Sequence, residues 1–409
     1  MSSPLRQWKW KLPSSPRFLH FSALALAIAT ASVSLGLVSV DDLARHTAAL
    51  ISNSKKKPAP LVLRNWGLDN TFQSHILVRD AWKITEGSSS VIVAVIDTGI
   101  DSKHPALTAN LWRDPAISEK AVYGWNFVTN EPNPTDDHGH GTHVAGIIGA
   151  VTQPEIGVSG VAQKVSIMAI KYYSEKNPGA VNLKNTVRAI DYAVEHGAKI
   201  INYSGGGPEF SEEEYLAIRR AEAKGVLFVS AAGNERKNTD LVENYYFPSA
   251  YGLSNIISVA ATDVSNKLIA SSNWGKKKVE IAAPGEGIFS TLPGGRYGTM
   301  TGTSQATAFV SGVAALLLSK NPSLTPQQLK SIILSSADRI PELAEKIATS
   351  GRLNAFAALT QLNQLSSEVL LANQPSLQKA AEPSSQEIAI RKPIPLFREK
   401  VAPTAAPAK

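Results

Sequence analysis

Cysteine does not occur in this 409-residue chain, so disulfides, zinc–thiolate sites and a thiol nucleophile are excluded at the outset. A basic surface for nucleic acid is also missing, although the formal net charge is +7. Residues 1–40 carry Arg6, Lys9, Lys11 and Arg17 and no acid, residues 41–65 carry Lys55, Lys56 and Lys57, and residues 363–409 are net basic. With those flanks set aside, residues 66–362 are slightly acidic, which excludes DNA or RNA as a partner. Charged residues are scarce at 18%, while the apolar 43% is ample for a large core.

The ends lack the patterning of a folded domain. Residues 18–40 form an uncharged run behind the four basic groups, with Ala29-Thr30-Ala31 as a small-residue cleavage pattern. This run is read as a signal peptide. It is also long enough to stay uncleaved as an anchor with the rest of the chain outside, and only then would a membrane be a partner. Either way the remainder is secreted or otherwise extracytoplasmic. Residues 41–65 show no sustained periodicity and read as a linker. Residues 363–409, rich in Pro and Ala, read as a disordered tail, with regular signals fading near Gln361.

Between the flanks, strand and helix signals alternate. Residues 90–96 are a β-branched apolar run of the kind buried on both faces of a sheet. Further strands are predicted at 165–170, 199–203, 226–230, 256–260 and 279–282, with helices over 140–151, 185–196 and 212–224. A hairpin-like segment spans 289–301 and turns at Pro293-Gly294-Gly295. Residues 306–318 are apolar all round, which marks a buried helix, and Thr325 before Pro326 caps a last helix to about 337. Repeated β-α-β units give an α/β fold with a parallel sheet between two helical layers. Sites in such folds lie beyond the C-terminal strand ends.

Four features meet that rule. Strand 90–96 runs into Asp97-Thr98-Gly99, where the acid serves a turn or a site. Asp136-Asp137-His138-Gly139-His140-Gly141-Thr142-His143 opens a helix. Strand 226–230 leads to Ala231-Ala232-Gly233-Asn234. Ser304 enters the buried helix, where it can be an N-cap or a nucleophile beside free backbone N–H groups. Together these supply an orienting acid, a base, an oxyanion donor and a nucleophile. A metal site built from His138, His140, His143 and Asp97 is the rival reading, and it leaves Asn234 and Ser304 unexplained.

Asp97-Thr98-Gly99, His140-Gly141-Thr142-His143-Val144-Ala145-Gly146, Ala232-Gly233-Asn234 and Gly302-Thr303-Ser304 resemble the motifs of the subtilisin-like serine proteases, in that family's order. The resemblance covers residues 66–359. It implies the three-layer α/β/α sandwich of subtilisin type and a serine endopeptidase acting on protein or peptide substrates. Ser304 would be the nucleophile, His140 the base, Asp97 the orienting acid and Asn234 an oxyanion donor. Ser204, Gly205 and Gly206, with Ala232 and Gly233, would bind an extended substrate strand.

Departures from the family pattern carry their own expectations. Gln305 stands where Met is usual, and Ala308-Phe309 where Pro-His is common; neither replaces a catalytic group. Only residues 41–65 separate the leader from the domain, so no folded inhibitory segment is expected there. No cofactor is expected: calcium would lack its ligands, with Ala106 in place of an Asp and Gln153-Pro154-Glu155 in place of an Asn-rich loop. Tyr246, before Phe247-Pro248, falls at the floor of the pocket for the residue preceding the scissile bond. Small or medium apolar side chains should then be preferred there.

Overall fold

The computed structural model describes residues 61–117, 121–132 and 134–372. In chain order the elements are α1 (Val78–Trp82), β1 (Gly87–Asp97), β2 (Gly124–Asn126), α2 (His140–Gly149), β3 (Lys164–Lys171), α3 (Gly179–Glu195) and β4 (Ile200–Tyr203). They continue with α4 (Glu212–Ala223), β5 (Leu227–Ala231), β6 (Ile256–Thr262), β7 (Ile281–Pro284), β8 (Ile288–Leu292) and β9 (Arg296–Met300). The last are α5 (Thr303–Lys320), α6 (Pro326–Ser335), β10 (Asp338–Arg339), β11 (Gly351–Arg352) and α7 (Ala355–Ala372).

The main sheet has the order β10-β11-β7-β6-β5-β4-β1-β3-β2 and is parallel except for the β10–β11 pair. Alternation along β1 feeds both faces. Val91, Val93 and Val95 join the core under α2 and α5, while Ala94 and Ile96 join the core under α3 and α4. The result is the expected three-layer α/β/α sandwich. Helix α5 is buried from Thr303 to Leu318 and lies against β1, β4, β5, β6 and β7, which explains its lack of a polar face.

Chain order reverses beside β1. The chain passes to β3 on one side and then crosses to β4 on the other. Such a switch point opens a crevice at the strand's C-terminal end, and here that end is Asp97. The β8–β9 hairpin, turned at Pro293–Gly295, docks on α2: Thr291 Oγ1 donates to Thr142 O (2.7 Å) and Ser290 Oγ to His143 O (2.8 Å).

Three boundaries differ from expectation. Helix α3 starts at Gly179 rather than 185, because Pro178 opens it without any side-chain cap to mark the start. Among the described residues the last helix is α7, not α6; α6 does carry the expected Thr325 cap, which the Gln328 side chain completes as a capping box. Helix α7 runs to Ala372, into the stretch assigned to the tail. At the other end of the body, Leu63 and Asn65 are buried and Arg64 N donates to Gly157 O (2.8 Å), so the last linker residues pack on the domain. A few apolar contacts fix such a segment without creating a periodic pattern. The expected leader and most of the tail lie outside the described residues. No helix of the described residues is long and apolar enough to cross a membrane.

Candidate active site

Asp97 ends β1 and is 3% exposed. His140, the first residue of α2, donates from Nδ1 to Asp97 Oδ1 at 2.8 Å. That bond commits the Nδ1 proton and leaves Nε2 as the free lone pair. The approach depends on Gly141, where a Cβ would collide with Gly99 O and stand 3.1 Å from Asp97 Cβ. Burial depresses the His140 pKa, but the Asp97 charge, its hydrogen bond and the nearby Asp136 outweigh this and raise it.

Asp136 fixes the start of α2. Its Oδ1 accepts from His138 N (3.0 Å), Gly139 N (2.8 Å) and Thr98 Oγ1 (2.8 Å). Its Oδ2 accepts from Thr142 N (2.9 Å) and Thr142 Oγ1 (2.6 Å). Burial would push this carboxyl up, yet the donors together hold it below the usual carboxylate range. Thr98 Oγ1 in turn accepts from Gly141 N (3.0 Å). Lys171, ending β3 and 3% exposed, donates to Thr98 O (2.6 Å) and Asp137 Oδ1 (2.7 Å), pinning the turn from the other side.

The three histidines of the metal reading diverge. His143 is fully buried against the backbone of Ile288 and Gly298, and burial lowers its pKa to about 4. His138 is exposed and faces Glu175 at 3.5 Å.

Ser304 is the second residue of α5 and is 6% exposed. Its Oγ donates to Ser204 O (3.2 Å), and Ser204 Oγ donates to Ser304 O (3.3 Å). Ser204 also lines a cleft of about 140 Å³ with Asp97, His140, Tyr172 and Tyr173, so the residue that accepts the Ser304 hydroxyl shares an opening with the imidazole. A chain of bonds holds this edge from behind: Ser311 Oγ donates to Asn202 Oδ1 (2.8 Å), and Asn202 Nδ2 to Ser204 Oγ (3.1 Å).

Asn234 follows β5. Its Oδ1 accepts from Thr303 N (3.0 Å) and Thr303 Oγ1 (3.2 Å), which leaves Nδ2 as the uncommitted donor one residue from Ser304. The N–H groups in the first turn of α5 have no intrahelical acceptor. Ala232 and Gly233 bring the chain from β5 to Asn234, and Asn273 Nδ2 donates to Ala232 O (2.9 Å).

Gly206 continues the edge beyond Ser204, and Gly207 pairs with Phe247 through Gly207 N to Phe247 O (2.9 Å) and Phe247 N to Gly207 O (2.7 Å). The Tyr246 ring lies between the two walls. A Cβ at Gly206 would strike it, and one at Gly233 would stand 3.0 Å from it.

Two positions at which calcium ligands would be sought carry no side-chain oxygen. Ala106 is a buried methyl, and Pro154 has no side-chain oxygen. The Gln153 carbonyl is taken by the N–H groups of Ile156, Gly157 and Val158.

The sequence placed Asp136 only within the segment that opens α2, without a role, and did not single out Lys171, Asn202 or Ser311. The signals were present, as an Asp just before a helix start, a Lys closing an apolar strand and a Ser inside an apolar helix. Each needs a partner distant in sequence before its role can be read.

The Subtilase family model matches residues 88–366. Thermitase of Thermoactinomyces vulgaris is 38% identical over 279 residues, covering 68% of this chain and 91% of thermitase. Thermophilic serine proteinase of Bacillus sp. (strain AK1) is 36% identical over 295 residues, covering 72% of this chain and 67% of that protein. Subtilisin E of Bacillus subtilis (strain 168) is 38% identical over 250 residues, 61% of each chain. With this fold, an acid-paired imidazole and these matches over most of the chain, the chain belongs to the subtilase family and is a subtilisin-like serine endopeptidase.

Proposed function

We propose that this endopeptidase acts outside the cytoplasm and cleaves peptide bonds with Ser304 as nucleophile, His140 as general base and Asp97 as the group that orients the imidazole. The observation that carries the reading is the His140–Asp97 bond facing a cleft that also contains Ser204, the acceptor of the Ser304 hydroxyl. Turning Ser304 about χ1 exchanges that acceptor for His140 Nε2. The base then takes the hydroxyl proton as Oγ attacks the carbonyl carbon, and it returns the proton to the leaving amine. Water repeats the sequence on the acyl-enzyme.

Asn234 Nδ2 and the Ser304 N–H are the donors for the oxyanion. Such a donor is worth on the order of two to three powers of ten in turnover, because its dipole is fixed before charge develops. Beyond Asp97 the sheet leaves a gap between the segments that follow β3 and β4. A substrate strand laid there pairs with the Ser204–Gly206 backbone, by the same bonding that holds any sheet. The Tyr246 ring occupies the space between the glycine walls, which supports the expected preference for small residues before the scissile bond.

Export rests on the basic, then apolar, N-terminal pattern of residues 1–40. Hydrolysis of a chromogenic peptide and labelling by a fluorophosphonate test the chemistry together. Ser304→Ala should abolish both, and undiminished hydrolysis in that variant would refute the assignment. N-terminal sequencing of the exported protein tests the leader.

A further inference from the structure

A second cavity, of about 510 Å³, opens beside the edge segment and is lined by Tyr172, Leu183, Tyr203, Gly206, Glu214 and Phe247 among others. That size suits a long side chain. It adjoins the cleft next to His140, because Tyr172 and Tyr173 line both. At Gly205 a Cβ would meet the Tyr172 hydroxyl, so the edge segment contributes no side chain to fill the space.

Glu214 is the chemical anomaly of this cavity. It is only 3% exposed, and no Lys, Arg or His is among the lining residues. Ser211 caps α4 by accepting from Glu214 N (3.2 Å), a spacing at which the glutamate usually reaches back to the cap N–H. Here Ser211 N donates instead to Tyr251 Oη (3.2 Å), and the Glu214 carboxyl turns inward to accept from that same phenol (2.8 Å). One phenol is poor compensation for a buried carboxylate. Burial accordingly pushes its pKa up to about 7. The remaining polar lining residues are Asn182, Thr186, the tyrosines and a second, exposed carboxylate, Glu209, set among ring faces that accept the stem and head of a cation.

Strand geometry identifies the substrate residue that reaches the cavity. Alternate side chains of an extended strand share a face. A substrate strand paired with the Ser204–Gly206 edge, with its second residue before the scissile bond at the cleft beside His140, would bring its fourth to the adjoining cavity. We propose that this cavity is a specificity pocket for a lysine or arginine at that fourth position, with Glu214 as its counter-charge. The proposal rests on the endopeptidase reading for the strand's direction. The entering cation gives the carboxylate the partner the fold withholds, and the pair forms away from water, where a charge-assisted bond is strong.

Peptides identical except for Lys, Arg, Gln or Leu at the fourth position decide it, read both as kcat/KM with the native chain and as affinity for the Ser304→Ala protein. Lys and Arg should exceed Gln by about tenfold or more. Glu214→Gln should erase that margin, and Glu214→Leu should favour the Leu peptide, with melting curves reporting that each variant is folded. Gln or Leu equal to Lys in the native chain overturns the proposal without any variant, as does a Lys preference that survives Glu214→Gln. If no peptide is hydrolysed, the role given to Ser304 fails, while the affinity ranking still decides the pocket.

Discussion

Two buried carboxyls sit in or just before the first turn of a helix in this protein, and they behave in opposite ways. Asp136 receives three backbone N–H groups and two threonine hydroxyls, and its pKa falls. Glu214 receives one phenol, and its pKa rises to about 7. Burial is therefore not what separates a structural acid from a reactive one; the supply of donors is. The acid–imidazole end is saturated and rigid, whereas the cavity beyond the edge strand is undersupplied.

The contrast breaks most sharply at His140. Because Asp97 and Asp136 raise its pKa, the acid limb of the activity profile should lie above pH 6.5, with activity growing as the imidazole loses its proton. The linkage runs the other way: the ion pair's contribution to stability is full below the unfolded pKa and is lost as pH rises through the folded one. Asp97→Asn should cut kcat by roughly four powers of ten. A variant that keeps both its rate and its acid limb would disconnect this acid from the chemistry.

Next in size is Asp136→Ala, which strands several buried donors and should cost about 3 kcal/mol. A shift of the urea midpoint measures it, and loss of less than about 1 kcal/mol would mean that water replaces the carboxylate. Asp136 stabilises above its unfolded pKa and ceases to do so in acid.

Glu214 has the opposite sign. Its raised pKa withdraws stability as pH climbs from about 4.5 towards and beyond about 7. Glu214→Gln should then melt like the native chain at pH 5 and gain roughly 2 kcal/mol relative to it at pH 8. Equal differences at both values would mean that the carboxyl titrates normally.

Smallest is the effect of Tyr246→Gly, which should improve cleavage after Phe relative to Ala by about tenfold. An unchanged ranking in matched peptides would remove Tyr246 from the pocket floor.

Much of this was legible because it is local or repetitive. The β-branched run of β1, the capping box of α6 and the apolar circumference of α5 each announce an element within a dozen residues. The four motifs pointed to the candidate site, since each falls at an element end near the C-terminal edge of the sheet. What escaped depends on distance. The role of Lys171 requires Thr98 and Asp137, and that of Ser311 requires Asn202. The Ser211–Glu214 spacing would have been read as a capping box, and only Tyr251 reveals that the glutamate has turned inward. Short pieces such as α1, β2, β10 and β11 are defined by their neighbours rather than by their own periodicity.

The burial of α5 bears on how such an enzyme destroys itself. Ser304 begins a helix that contacts most of the sheet, so the proposed nucleophile cannot be released by fraying at an edge. Loss of competence and exposure of cleavable backbone become the same event. The population therefore divides into intact predators and unfolded prey, and self-digestion is a bimolecular encounter between them. Its rate follows the product of the two fractions, so it vanishes at both extremes of a melting curve and peaks at the midpoint.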